Sequence, residues 1–210
     1  NNTAVGKSAL TTNTTGEGNT SVGKDSLKDN STGSNNTAVG ENALANNTTA
    51  SENVAVGQNA LLTSTTATAN IAIGHDAMRL TTTGSSNVAV GLDALRTNTT
   101  GQRNVAIGFQ AMDAATTGSD SVVVGYEAGS DITTGIENTF IGYYAGTDTT
   151  TANYNVAVGS SSLQQNTTGA NNIAIGRTAL YANTTASNNT AIGHAALAAN
   201  TTGTGNVSVG

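Results

Sequence analysis

A glycine preceded by valine or isoleucine returns at every seventeenth position from Gly6 to Gly210, without a single insertion or deletion. A unit of that length cannot enclose a core of its own, so each must bury its apolar side chains against its neighbours, and the chain reads as a stack of rungs. The residue before the glycine is always Val or Ile, as in Val5, Ile73 and Ile192, and the residue two earlier is always β-branched, as in Thr3, Val54 and Ile71. That period of two marks a strand. Between the pair lies a small residue, usually Ala, and Asn precedes the strand in twelve of thirteen copies, with Ser121 the exception. The invariant glycine indicates positive φ or a backbone passing too close for a Cβ, and marks a corner. Beyond it come Ala-Leu or Ala-Met pairs (Ala43-Leu44, Ala77-Met78), then an Asn-Thr-Thr-Gly turn such as Asn13-Thr14-Thr15-Gly16. The last position of that turn is Gly in eight repeats and Ala in four (Ala50, Ala67, Ala152, Ala186), so the second bend accepts a Cβ.

Composition taken without order would suggest disorder, since aromatic residues are 3% and charged residues 10%. The spacing overrides it. Units dense in Gly, Asn and Thr with no 3.6-residue apolar stripe exclude helix. The absence of proline suits continuous strand pairing. We therefore expect an all-β fold, a parallel β-solenoid of the β-roll or β-helix kind with twelve 17-residue rungs. At roughly 4.8 Å per rung it forms a rod of about 58 Å. Residues 1–210 read as one repetitive domain, and because the chain begins and ends in mid-pattern they read as an excerpt of a longer fibre protein. The net charge of −6, spread along the chain, argues against nucleic acid. No apolar run approaches the ~20 residues of a membrane span.

Two rungs break the pattern together. Where the Leu position becomes Gly129 and Gly146, the small residue of the strand becomes Val123 and Phe140. Such an exchange of large for small indicates side chains that share one packed cavity. Neighbouring residues of a strand face opposite ways, so Val123 and Val124 cannot both face one core. If the Val/Ile column fills the coil, the Ala/Leu cluster lies outside as an apolar stripe that other subunits would cover. On that expectation Val123, Gly129, Phe140 and Gly146 pack between subunits of a homo-oligomer, a threefold bundle being favoured. The alternative is a flattened coil that encloses both clusters.

No catalytic constellation is present, and no cofactor is implied. His75 and His194 are seven rungs apart, roughly 34 Å, and cannot share a metal. The acidic residues Asp25, Asp76, Asp93 and Glu127 read as lacking the adjoining pairs that would cage calcium, so no metal site is expected. The position after the corner glycine carries Leu92, Phe109, Tyr126 and Tyr143 in four consecutive rungs, with Tyr144 extending the series. Stacked rungs would make these a surface ladder suited to a sugar, a protein or a partner subunit. An ice-binding solenoid is the weakest alternative, because adjacent threonines such as Thr14 and Thr15 would point opposite ways in an extended segment.

Runs such as Asn36-Thr37-Ala38-Val39-Gly40, followed by Ala43-Leu44 and by Asn-Thr-Thr-Gly, resemble repeats of phage tail-fibre proteins and of bacterial surface fibres. They are similar, more distantly, to the head repeats of trimeric autotransporter adhesins, whose period is shorter. The resemblance covers the whole chain. It implies a trimeric fibre, extracellular, at the cell surface or on a virion, that gives rigid reach and attaches to a host glycan or protein. A self-assembling extracellular filament is the alternative.

Overall fold

The computed structural model describes all 210 residues. Thirteen short strands recur in step with the repeat, from β1 (Thr3–Val5) through β7 (Val105–Ile107), β8 (Val122–Val124) and β9 (Thr139–Ile141) to β13 (Val207–Val209). They form one parallel sheet in strict chain order, β1 pairing with β2 and so on to β13. Each residue pairs with its equivalent one repeat on, as Val105, Ala106 and Ile107 do with Val122, Val123 and Val124. The chain is a β-solenoid of about twelve turns, and no helix is present.

The orientation of the strands inverts the sequence expectation. In the inner rungs the middle residue of each strand is buried, while the two β-branched residues beside it face outward and remain half-exposed or exposed. The interior is built from Ala38, Ala43 and Leu44 and their equivalents, fully buried in the inner rungs. The Val/Ile column is the outer face. The physical reason lies in width: a coil closed within one such short repeat leaves room for one leucine per rung opposite an alanine, not for a pair of β-branched side chains as well.

Two asparagine columns line the rest of the interior. At the strand entrance, Asn53 donates from its backbone N–H to Asn36 Oδ1 at 3.0 Å and from Nδ2 to the Ala67 carbonyl at 2.8 Å. Ser121 preserves this ladder with a hydroxyl: its N–H donates to Asn104 Oδ1, and its Oγ accepts from the Asn138 N–H, both at 3.1 Å. The second column, in the turn, runs from Asn13 through Asn30 to Asn47, with each Nδ2 donating to the Oδ1 below at 2.8 and 2.6 Å. Buried amides are thereby kept paired where water cannot reach them.

Corners are fixed by backbone conformation. The corner glycines hold φ between 118° and 145°, a region essentially closed to other residues. A Cβ on Gly40 would also stand 2.5 Å from the Gly57 carbonyl oxygen. Space is equally tight at the second bend, where a Cβ on Gly135 would stand 2.5 Å from the Ala152 carbonyl oxygen. Yet Ala50 and Ala67 occupy that column, buried. The difference is φ, which is not positive at the second bend. Conformation, more than clearance, reserves the corner for glycine. The core leucines themselves lie in the left-handed region, Leu44 at φ 50° and Leu95 at 52°, a strain that burial must offset.

The paired exceptions do share a cavity, but inside the coil. Phe140 and Val123 are fully buried within a single chain. A Cβ on Gly146 would lie 2.5 Å from the Phe140 ring, and one on Gly129 3.1 Å from the same ring and 3.4 Å from Val123. The expectation that Val123, Gly129, Phe140 and Gly146 pack between subunits is thus corrected: no partner can reach them. The exchange has a third member that the sequence reading missed. Ile132 takes the place of the turn asparagine, is fully buried, and fills the space vacated at Gly129. The two methionines follow the same logic, since Met78 and Met112 fall in the rungs where that asparagine is Thr81 and Ala115. An unbranched, flexible side chain fills the space an amide has left. Where the ladder is interrupted, Asn47 Oδ1, Ser64 Oγ, Thr81 Oγ1 and Asn98 Oδ1 have no partner within the protein.

Candidate functional site

Three outward surfaces carry the chemistry this rod can offer. The first is the sheet face itself. Every strand presents two side chains outward, and all but five of these 26 are Val or Ile, the five being Thr. None is charged. Ile71, Ile73, Ile173 and Ile175 are each 38–39% exposed. With its short strands the face measures roughly 10 Å by 58 Å, a largely apolar strip on the order of 600 Å². That is the upper limit of what monomers leave bare. Parallel sheets, moreover, are almost always covered on both faces.

The second is the aromatic ladder, whose rings stand in consecutive rungs. Phe109 and Tyr126 stack with ring centroids 5.0 Å apart and an interplanar angle of 11°. Tyr126 and Tyr143 follow at 5.4 Å and 22°. Tyr144 meets Tyr143 edge-on at 4.2 Å, and Leu92 lies exposed beside this run. Stacking along the rod axis turns the inner ring faces toward one another, so the ladder shows its surroundings mainly edges and hydroxyl tips. The Tyr144 hydroxyl, close to that of Tyr143 and beside the Glu127 carboxylate, is pushed up to about 12. Tyr126 is raised too, chiefly by its proximity to Glu127. Both therefore stay neutral hydrogen-bonding groups at neutral pH.

The third is the threonine edge. The column beginning at Thr15 and ending at Thr202 is threonine in every rung and exposed in every rung. Its neighbour, the Thr14 column, also leaves the interior, because this segment bends instead of running extended. The in-and-out alternation expected from sequence is absent. The Thr14 column is nevertheless tied down, for Thr48 Oγ1 donates to the Thr65 carbonyl at 3.1 Å and Thr99 Oγ1 to that of Thr116 at 2.9 Å. One row of free hydroxyls remains.

Charged residues pair across rungs on the surface. Arg103 meets Asp120 at 2.6 and 2.8 Å, which holds that carboxyl below the usual range. Lys24 meets Glu41 at 2.8 Å. Such exposed pairs contribute little to stability individually. His194 lies against Arg177, its Nε2 2.8 Å from Nη2. The acidic column differs from the sequence reading: Asp76 and Asp93 occupy equivalent places in adjacent rungs, and His75 lies beside them.

Comparison with protein-family models, with curated proteins and with solved structures finds no match for this chain. No helix is long and apolar enough to cross a membrane.

Proposed function

We propose that this chain is a segment of the rigid shaft of an extracellular fibre, such as the stalk of a phage tail fibre or of a trimeric surface adhesin. In this reading copies cover one another's β-sheet faces, three to a bundle. The observation that carries it is the long parallel sheet with one face packed on the core and the other uncharged, apolar and bare. A bundle of solenoids buries that strip, stiffens the rod and leaves the corner columns outward. The aromatic ladder from Leu92 to Tyr144 then meets what the fibre touches, a cell-surface glycan or protein. Enzymatic chemistry has no foothold in this reading, whose whole role is reach and attachment.

Sedimentation equilibrium of residues 1–210 tests it. The expected mass is three times the 20.7 kDa of one chain, unchanged on dilution through the micromolar range. A mass that grows steadily with concentration would favour the filament, in which the same face packs without closing into a ring. A monomer would overturn both.

A further inference from the structure

Beyond the shaft role, we infer a binding site for one divalent transition-metal ion at His75, Asp76 and Asp93. One ligand atom from each of the three lies within 4.8 Å of the other two, with His75 Nδ1 3.9 Å from Asp76 Oδ2. The backbone sets this arrangement. Asp76 and Asp93 share the left-handed conformation, both at φ 56°, so their side chains leave consecutive rungs in the same direction, about 4.8 Å apart.

Two carboxylates at that separation repel unless something offsets them. Asn59 Nδ2 donates to Asp76 Oδ1 at 3.0 Å, which leaves Oδ2 free. The Arg96 guanidinium is committed to Asp113 through two bonds of 2.8 and 3.1 Å. It reaches Asp93 only at 3.7 Å, and no hydrogen bond is made to the Asp93 carboxylate. Asp93 and Asp113 thus share the Arg96 guanidinium, and the surroundings of His75 stay net negative. A dication is the complement. The imidazole decides its class, because Ca²⁺ and Mg²⁺ take oxygen ligands whereas imidazole with carboxylates suits Zn²⁺ and its neighbours. Ligand atoms on a common ion at about 2.0–2.2 Å stand roughly 3–3.5 Å apart. Side-chain rotations of about an ångström therefore close the site without moving the solenoid, and three protein ligands leave room for water.

The repeat supplies its own control. His194 occupies the column of His75, but the acidic column there carries Thr178 and Ala195, so it offers imidazole without carboxylates. Titration calorimetry with Zn²⁺ alone should show one ion per chain. Binding should weaken at least ~10-fold in His75→Ala and in Asp93→Asn, and be unaltered in His194→Ala. Circular dichroism of each variant should match the parent, since all three side chains are at the surface. Absence of saturable Zn²⁺ binding, binding that survives His75→Ala, or binding lost as much in His194→Ala would each overturn the site.

Discussion

Gly146→Leu is expected to destabilise the solenoid by several kcal/mol, and Phe140→Ala by about 3–5 kcal/mol, yet the two together should cost far less than their sum. The single leucine drives a side chain into space the Phe140 ring already fills, a Cβ alone standing 2.5 Å from it. The single alanine empties that space instead. Combined, they rebuild the small-strand, leucine-turn interior that the next rung has in Ala157 and Leu163, both fully buried. Chemical denaturation of the four proteins gives the coupling energy, expected at roughly 2–3 kcal/mol or more in favour of the pair. Additive losses would mean that the two positions do not share a cavity.

The corner glycine should be the most sensitive backbone position. Gly40→Ala forces a side chain into φ 136° against the Gly57 carbonyl, and should cost at least ~3 kcal/mol. Because each rung is held only by its neighbours, the damage propagates, and the melting transition should broaden or split. Gly33→Ala lies in the second bend of the adjoining rung, where alanine already occurs at Ala50 and φ is ordinary. The new Cβ must displace the Ala50 carbonyl, 2.2 Å away, but needs no positive φ, so the loss should be clearly smaller than that of Gly40→Ala. Thermal melts of the two variants separate a conformational requirement from a merely steric one, since clearance at the two sites is similarly small. Equal losses would favour the steric account.

Much of this was legible in the residues. The strand and its parallel in-register pairing followed from the strict period of the corner glycines. The contact between the exceptional residues followed from their volumes. Which side of the strand faces inward did not, because β-branched residues on a solenoid suit either a core or an outer sheet face, and period two alone cannot say which. Only closure of the coil around Leu44 and its equivalents decides it. The left-handed leucines were equally silent, as leucine gives no local sign of positive φ. Ile132 could have been found, since it is the one bulky apolar residue in the turn-asparagine column, in the same rung as Gly129. Asp76 and Asp93 were missed as a pair although they stand one repeat apart, the same interval that places every other column in line.

The orientation of the strand and the covering of the sheet face stand together in one measurement. The chain contains no cysteine, so single cysteines introduced at Ala106 and Ile107 of β7 report without interference. Under mild oxidation Ile107→Cys should link copies to one another. Ala106→Cys should neither link them nor react with a thiol reagent until the protein unfolds. Linking through position 106, or none through position 107, would contradict an apolar outer face shared between chains.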